Sequence, residues 1–275
     1  MRHKPKQFSD QHASMFQDVS VVAAYQYRPP YPAETFEILA GLMDKTVSLR
    51  RVLDAGCGTG QIAGRLRPAV DQIDAVDISV AMIEAGKRMS YGSDPAINWI
   101  VGRLEQVELH PPYALIVAAA SLHWMDWEVT LPRFARVLSP NGYLALVEEC
   151  SPPSAWDNEL TPLFAHYSMN RDFQSYNMLT VADELHARGL FQQAGVMETQ
   201  PVLFRQPVAA WVEAFHARNG FSRERMGDEK AAEFDQQLYD VIGKYCPTGQ
   251  VEQLIAARVV FGKPLRQGQP GVDDQ

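Results

Sequence analysis

The stretch Val52-Leu-Asp54-Ala-Gly56-Cys-Gly58-Thr-Gly60 puts three glycines at alternate positions directly behind a short apolar run. Glycine reaches left-handed backbone conformations without steric cost, so such a stretch turns a chain sharply from a strand into a helix. It also lets bare backbone approach a ligand where a β-carbon would fill the ligand's volume. The flanks agree: Arg51-Val-Leu-Asp54 reads as a buried strand, and Ile62, Ala63 and Leu66 resume helical spacing up to Pro68. A strand, glycine turn and helix of this kind is stable only as part of a larger α/β sheet.

The same alternation runs through the first half of the chain. A helix is expected over residues 32–44, strands over 51–54 and 72–78, a helix over 79–89, a strand over 97–101 and an apolar strand over 114–120. A helix over 127–138, a turn at Ser139-Pro-Asn-Gly142 and a strand over 143–147 follow. Beyond Glu149 the rhythm breaks into a polar, aromatic stretch that reads as an insertion up to Thr180. A helix over 181–193, strands over 199–205 and 250–261, and a mostly helical cap over 208–245 complete the reading. The expected architecture is a Rossmann-like, mostly parallel sheet with helices on both faces. Its parts are an arm and helix over 1–45, a ligand-binding core over 46–150, a C-terminal part with cap insertions over 151–265, and a flexible tail over 266–275.

Composition narrows the partners. A net charge of −8 disfavours nucleic acid. Cys57, Cys150 and Cys246 form no CxxC pair, and the seven histidines no HxxxH, so no metal site is expected and a reducing, cytoplasmic setting is. No apolar run of the roughly 18 residues needed to span a bilayer is present, so membrane insertion is not expected. A monomer and a homodimer are equally compatible with the sequence.

Asp77, 17 positions after Gly60, ends the second strand where a carboxylate can accept the ribose hydroxyls of an adenosine. Gly58-Thr-Gly60-Gln-Ile-Ala63 also satisfies the loose G-x-G-x-x-A pattern of dinucleotide sites. Asp54, ahead of the turn, bears on the choice. A pyrophosphate wants amide donors, whereas a ligand carrying an ammonium and a sulfonium wants acceptors such as this carboxylate.

On these residues the chain resembles the class I S-adenosylmethionine-dependent methyltransferases, in particular a small-molecule bacterial branch. Val52 to Gly60 is similar to their first motif and Asp77-Ile78-Ser79 to their second. Val101-Gly-Arg-Leu-Glu105 resembles the third, with Arg103 where members often carry Asp, and Tyr113-Ala114 stands where Phe-Asp is usual. The resemblance implies S-adenosylmethionine as cofactor, held by Tyr25, Arg28, Asp54, Gly56, Cys57, Gly58, Gly60, Asp77, Ile78, Met82, Leu104, Glu105 and Ala119. Ser121-Leu-His123-Trp124 resembles the segment where donor and acceptor meet, and Tyr25-Gln-Tyr27-Arg28-Pro-Pro-Tyr31 the arm that folds over the donor. It further implies a small-molecule substrate near Tyr31, His123, Trp124, Trp156, Trp211 and His216, with the arm and the helices around Trp156 and Trp211 as a lid.

Each of these residues also has a plainer role open to it. His123 suits a general base or a packing wall. Trp124, Trp127, Trp156, Tyr167 and Trp211 suit an acceptor pocket or an ordinary core. Cys57 suits a reactive thiol or a small turn-filling residue, and Arg28 a donor contact or a solvated charge. His110-Pro-Pro-Tyr113 resembles the Asn-Pro-Pro-Tyr segment of amide and base methylating enzymes, or is a proline turn. Methyl transfer to a small organic acceptor is the expected activity. The alternatives are a non-methylating reaction on the same fold, such as a cyclisation, and a non-catalytic subunit.

Overall fold

The structure, a computed structural model, describes residues 4–266; the expected tail lies outside the described residues from 267 onward. In chain order come α1 (Asp10–Ala13), α2 (Val19–Ala24), α3 (Ala33–Gly41), β1 (Arg51–Ala55), α4 (Gln61–Leu66), β2 (Gln72–Asp77) and α5 (Val80–Lys87). Next are β3 (Ile97–Val101), β4 (Tyr113–Ala119), α6 (Trp127–Val137), β5 (Leu138–Glu149), α7 (Asp157–Tyr167) and α8 (Met178–Ala187). The chain finishes with β6 (Phe191–Glu198), β7 (Val202–Pro207), α9 (Val208–His216), α10 (Arg223–Met226), α11 (Asp228–Tyr245), β8 (Gln250–Ile255) and β9 (Ala257–Pro264).

These elements gather into two compact units. One runs over Pro32–Glu149, Ser175–Thr199 and from Ala257 on, and holds the sheet; the other takes the residues up to Tyr31, Cys150–Gln174 and Gln200–Ala256. The arm and the insertion expected from the sequence thus share a unit, whereas residues 175–199 return to the sheet.

Among the described residues of the sheet unit, seven strands order as β3-β2-β1-β4-β5-β9-β6. The pairs from β3 to β5 are parallel, and β9 runs antiparallel between β5 and β6. Successive strand residues point to opposite faces, yet Val52 to Ala55 and Tyr113 to Ala118 are all buried, so both faces are covered. Each fully buried Leu, Ile or Val contributes about 1.5–3 kcal/mol, and the central strands β1 and β4 carry Val52, Leu53, Leu115, Ile116 and Val117 in that state. The parallel strands end together at Ala55, Asp77, Val101 and Ala119, the edge at which a doubly wound sheet binds ligands.

Three expectations need correction. The strand placed at 199–205 is β7, which starts three residues later and pairs with β8 in a separate two-stranded sheet. The single strand expected over 250–261 is two, β8 and β9, divided at Ala256 and belonging to different units. The helix expected to reach residue 193 stops at Ala187, because Gly189 takes φ +69° and closes a Schellman turn: its amide donates to His186 O (2.8 Å) and the Leu190 amide to Leu185 O (2.9 Å). Residues 191–198, read as helix and loop, are therefore strand β6.

The other unit has its own core, in which α7, α9 and α11 pack Trp156, Tyr167, Trp211, Phe215 and Phe234. Its N-terminal segment is tied down. Arg225 holds both carboxylate oxygens of Asp18 (2.6 and 3.1 Å), Ser222 Oγ donates to Asp18 (2.7 Å), and the Ser20 amide donates to Glu224 (2.9 Å).

Candidate active site

The glycine turn is fixed from below by β2. The amides of Gly56 and Cys57 both donate to Val76 O (2.9 Å each), and the Gly58 amide donates to Asp77 Oδ2 (2.8 Å). Gly56, Gly58 and Gly60 take φ of +72°, +55° and +79°, a region in which a β-carbon is strained. For two of the three, the space a β-carbon would need is occupied by protein. At Gly56 it would lie 2.5 Å from Ser121 Cβ, and at Gly60 2.4 Å from the Trp99 ring. At these positions the protein itself requires glycine, because Trp99 of β3 and Ser121 after β4 close on the turn. Gly60→Ala combines a left-handed alanine with an overpacked contact, and should cost about 2–4 kcal/mol, read as a lower urea midpoint at unchanged m-value.

Two carboxylates flank the turn. Asp77 is half-buried at the end of β2; its Oδ2 takes the Gly58 amide and its Oδ1 the Ser79 amide (2.8 Å each). Burial raises its pKa, and the two amides pull it back down. Both oxygens keep further lone pairs for a ligand's hydroxyls. Asp54 is 1% exposed. Its Oδ2 accepts the Ala63 amide at 3.0 Å, whereas Oδ1 is buried with no hydrogen-bond partner. Burial, with the Asp77 charge adding to it, pushes this acid up to about 7 against the pull of the Ala63 amide. An orphaned carboxylate oxygen is costly in a protein interior and marks a place where a donor or a cation is wanted.

The wall beyond Asp77 is apolar and open. Ile78, 44% exposed, and the exposed Val101 stand at the ends of neighbouring strands, as suits the face of a flat ring. Ala119 is half-buried at the end of β4, and Ala120 behind it has φ +49°, a strained value for alanine that its bond to Val147 O (2.8 Å) holds in place. The chain then enters the short turn Leu122–Trp124, where His123 lies 3% exposed against Trp124, ring centroids 4.6 Å apart.

Residues 52–142 match the family model described as a methyltransferase domain. Over those residues the chain carries a methyltransferase domain. An uncharacterised methyltransferase of Mycobacterium tuberculosis is 33% identical over 130 residues, 46% of this chain and 50% of the relative. A malonyl-[acyl-carrier protein] O-methyltransferase of Anoxybacillus flavithermus is 32% identical over 96 residues, 34% of this chain and 36% of that one. The chain spans about half the length, or less, of these curated relatives. A structure from Anaeromyxobacter dehalogenans, named as a type II methyltransferase, aligns with 86% of this chain and 97% of its own at TM-score 0.60 and 23% identity, a likeness of fold.

Within the methyltransferase domain, the structure brings Asp54, Gly56, Cys57, Gly58, Gly60, Asp77, Ile78, Ala119, His123 and Trp124 to the carboxyl ends of adjacent strands. Others expected at the cofactor have their side chains engaged elsewhere. Met82 is buried beneath α5, its amide on Ser79 Oγ (3.2 Å). Glu105 accepts the Asp126 amide at the start of α6 (2.7 Å) and Thr130 Oγ1 (3.3 Å), with Arg103 Nε 3.6 Å from its second oxygen. The side chain of Leu104 is buried. Cys57 is buried, and burial together with Asp54 and Asp77 raises its thiol well above the ordinary value, so it fills the turn as a neutral small residue.

The remaining candidates belong to the other unit. Tyr25 and Arg28 lie side by side in the N-terminal segment, the guanidinium 5.3 Å from the ring centre, and Tyr31 is its last residue. The substrate role expected of Trp156, Trp211 and His216 is not where their geometry puts them. The two indoles meet edge to face at 6.1 Å inside the aromatic core. His216 is fully buried, with Nδ1 on Phe221 O and Nε2 on Asp235 Oδ1, 2.7 Å each. Tyr167 and Trp127 are core residues too. His110 and Tyr113 sit at the opposite end of β4 from Ala119, both on Asp74 Oδ2 (3.0 and 2.5 Å), so this proline turn is remote from the glycine turn.

One residue at the site carries no motif. Tyr176, in the stretch read as an insertion, places its hydroxyl 3.0 Å from His123 Nε2. Among the described residues no group of three or more His, Cys, Asp or Glu is arranged to hold a metal, and no helix is long and apolar enough to cross a membrane.

Proposed function

We propose that the domain binds S-adenosylmethionine across the glycine turn and transfers its methyl group to a small organic acceptor beside His123. The observation that carries this reading is the pairing of Asp77, fixed by two amides with lone pairs to spare, with the orphaned Oδ1 of Asp54 on the other side of the turn. A pyrophosphate would meet two carboxylates here; a ribose and a cationic amino acid moiety meet acceptors.

When bound, the donor supplies a methyl group on a positively charged sulfur. The chain's own contribution is positional. Asp77 holds the ribose, Ile78 and Val101 flank the adenine, the turn's backbone sets the depth of the site, and Asp54 favours positive charge beneath it. Orientation of this kind lowers a barrier by about 7–11 kcal/mol in well-aligned systems, so few catalytic side chains are required. The Anoxybacillus relative acts on oxygen, and oxygen nucleophiles therefore head the acceptor classes to test.

Calorimetry with S-adenosylmethionine and with S-adenosylhomocysteine should give one site per chain, and NAD should give none. Methyl-labelled donor incubated with carboxylic acids, phenols and alcohols should pass label to an oxygen acceptor. NAD binding in preference to both sulfur compounds would remove this reading.

A further inference from the structure

The contact between Tyr176 and His123 has a geometry that assigns each a distinct task. His123 is 3% exposed, whereas Tyr176 is half-buried, so the phenol is the member of the pair within reach of a bound molecule. The rings tilt at 58° with centroids 5.1 Å apart, and the hydroxyl meets Nε2 at 3.0 Å. A phenol donates to a neutral imidazole nitrogen more readily than it accepts from one, and in the tautomer with the ring proton on Nδ1 the acceptor is Nε2.

Tyr176 is also held firmly. The next residue opens α8 with a capping box: Asn177 Oδ1 accepts the Thr180 amide (2.9 Å), and Thr180 Oγ1 accepts the Asn177 amide (3.1 Å). The Met178 amide donates to Glu148 Oε2 (2.9 Å), and Arg258 grips the other oxygen of Glu148 (2.8 Å). The end of β5 thus anchors the helix start that carries the phenol, and the short turn after β4 carries the histidine.

We propose that Tyr176 is the proton-accepting residue of the site, with His123 as the sink behind it. This rests on the methyl-transfer reading above. The acceptor's lone pair forms the new bond to the methyl carbon while the carbon–sulfur pair stays on sulfur. The proton released from the acceptor passes to Tyr176 Oη as the phenol's own proton passes to His123 Nε2, leaving an imidazolium and a neutral phenol.

The first test needs no acceptor. In long-range nitrogen–proton correlation spectra of the free protein, His123, assigned by the signal lost in His123→Gln, should show Nε2 as the unprotonated nitrogen, and Tyr176→Phe should shift that resonance. A protonated Nε2 in the neutral ring overturns the proposal. In the second test, with a phenol or alcohol acceptor, Tyr176→Phe should lower kcat by on the order of 100-fold, the scale of general acid–base catalysis. The dissociation constant for S-adenosylhomocysteine should stay within about twofold, as for a residue that acts on the acceptor's proton and not on the donor. In a His123→Gln background the tyrosine substitution should add little, because the two residues act as one unit. An unchanged kcat overturns the relay, whereas failure of the protein to bind either sulfur compound overturns the methyl-transfer reading and leaves the tautomer result standing.

Discussion

Asp77→Ala should lose both S-adenosylmethionine binding and a measurable part of the fold's stability. The carboxylate accepts two backbone amides, from Gly58 in the turn and Ser79 at the start of α5. Hydrogen bonds to a charged group contribute about 1.5–3 kcal/mol each, so their removal should destabilise the protein by about 3 kcal/mol or more, read from urea unfolding. Loss of the ribose contacts comes on top, and the dissociation constant should rise at least tenfold by calorimetry. Asp77→Asn separates the two effects, because one side-chain oxygen remains to accept an amide while the charge is gone. It should keep more stability than the alanine variant and still bind the donor weakly. A folded Asp77→Ala protein with an unchanged dissociation constant would refute the ribose assignment.

The second large effect is a pH dependence centred on Asp54. Its acid is raised from the ordinary 3.8 to about 7 in the folded state, so between these values the native protein holds a proton that the unfolded chain has released. Stability from this group is fully present below about pH 4 and is lost as pH rises through 7. The gap corresponds to on the order of 4 kcal/mol. Asp54→Asn removes the titration, so the difference in unfolding free energy between variant and wild type should move by that amount in the variant's favour between pH 4 and pH 8. The slope with pH is the decisive quantity, since an asparagine at this position still carries a buried polar atom of its own. A cation drawn to the ionised form releases the proton. Donor binding near pH 6.5 should therefore show an enthalpy that changes with the buffer's own heat of ionisation, and a buffer-independent enthalpy would detach Asp54 from the ligand.

How far the sequence carried depended on how local the determining interactions are. Between β1 and β5 the strands β1, β2 and β4 are each followed by a turn and helix, and the glycine turn, Asp77 and the order of elements were legible because these signals lie within a few residues of each other. The C-terminal half obeys a different rule. Only Ala256 separates β8 from β9, and the apolar pattern runs across it, so nothing in the local sequence marks the point where the chain changes unit. Strand β6 carries Gln192, Gln193 and Gly195, residues poor in strand signal, and is specified by its pairing with β9 some sixty positions on. In the site, Asp54 and Asp77 could be found from spacing, but Tyr176 lies 53 residues from His123 in a polar stretch, and only the fold brings them together. The aromatic residues erred in the other direction: Trp156 and Trp211 have the composition of a binding pocket and the surroundings of a core.

The position of β9 sets the timetable on which this protein can mature. That strand lies between β5 and β6, so a nascent chain that has not yet released Pro264 from the ribosome has one side of β5 bare and β6 without its neighbour. Until then the apolar edge of β5 is open to strands of other chains, the hazard of any unpaired strand. Expression yield should therefore hinge on the emergence of β9, and a stop codon placed just before Ala257 should give aggregated product although every residue of the glycine turn has been made.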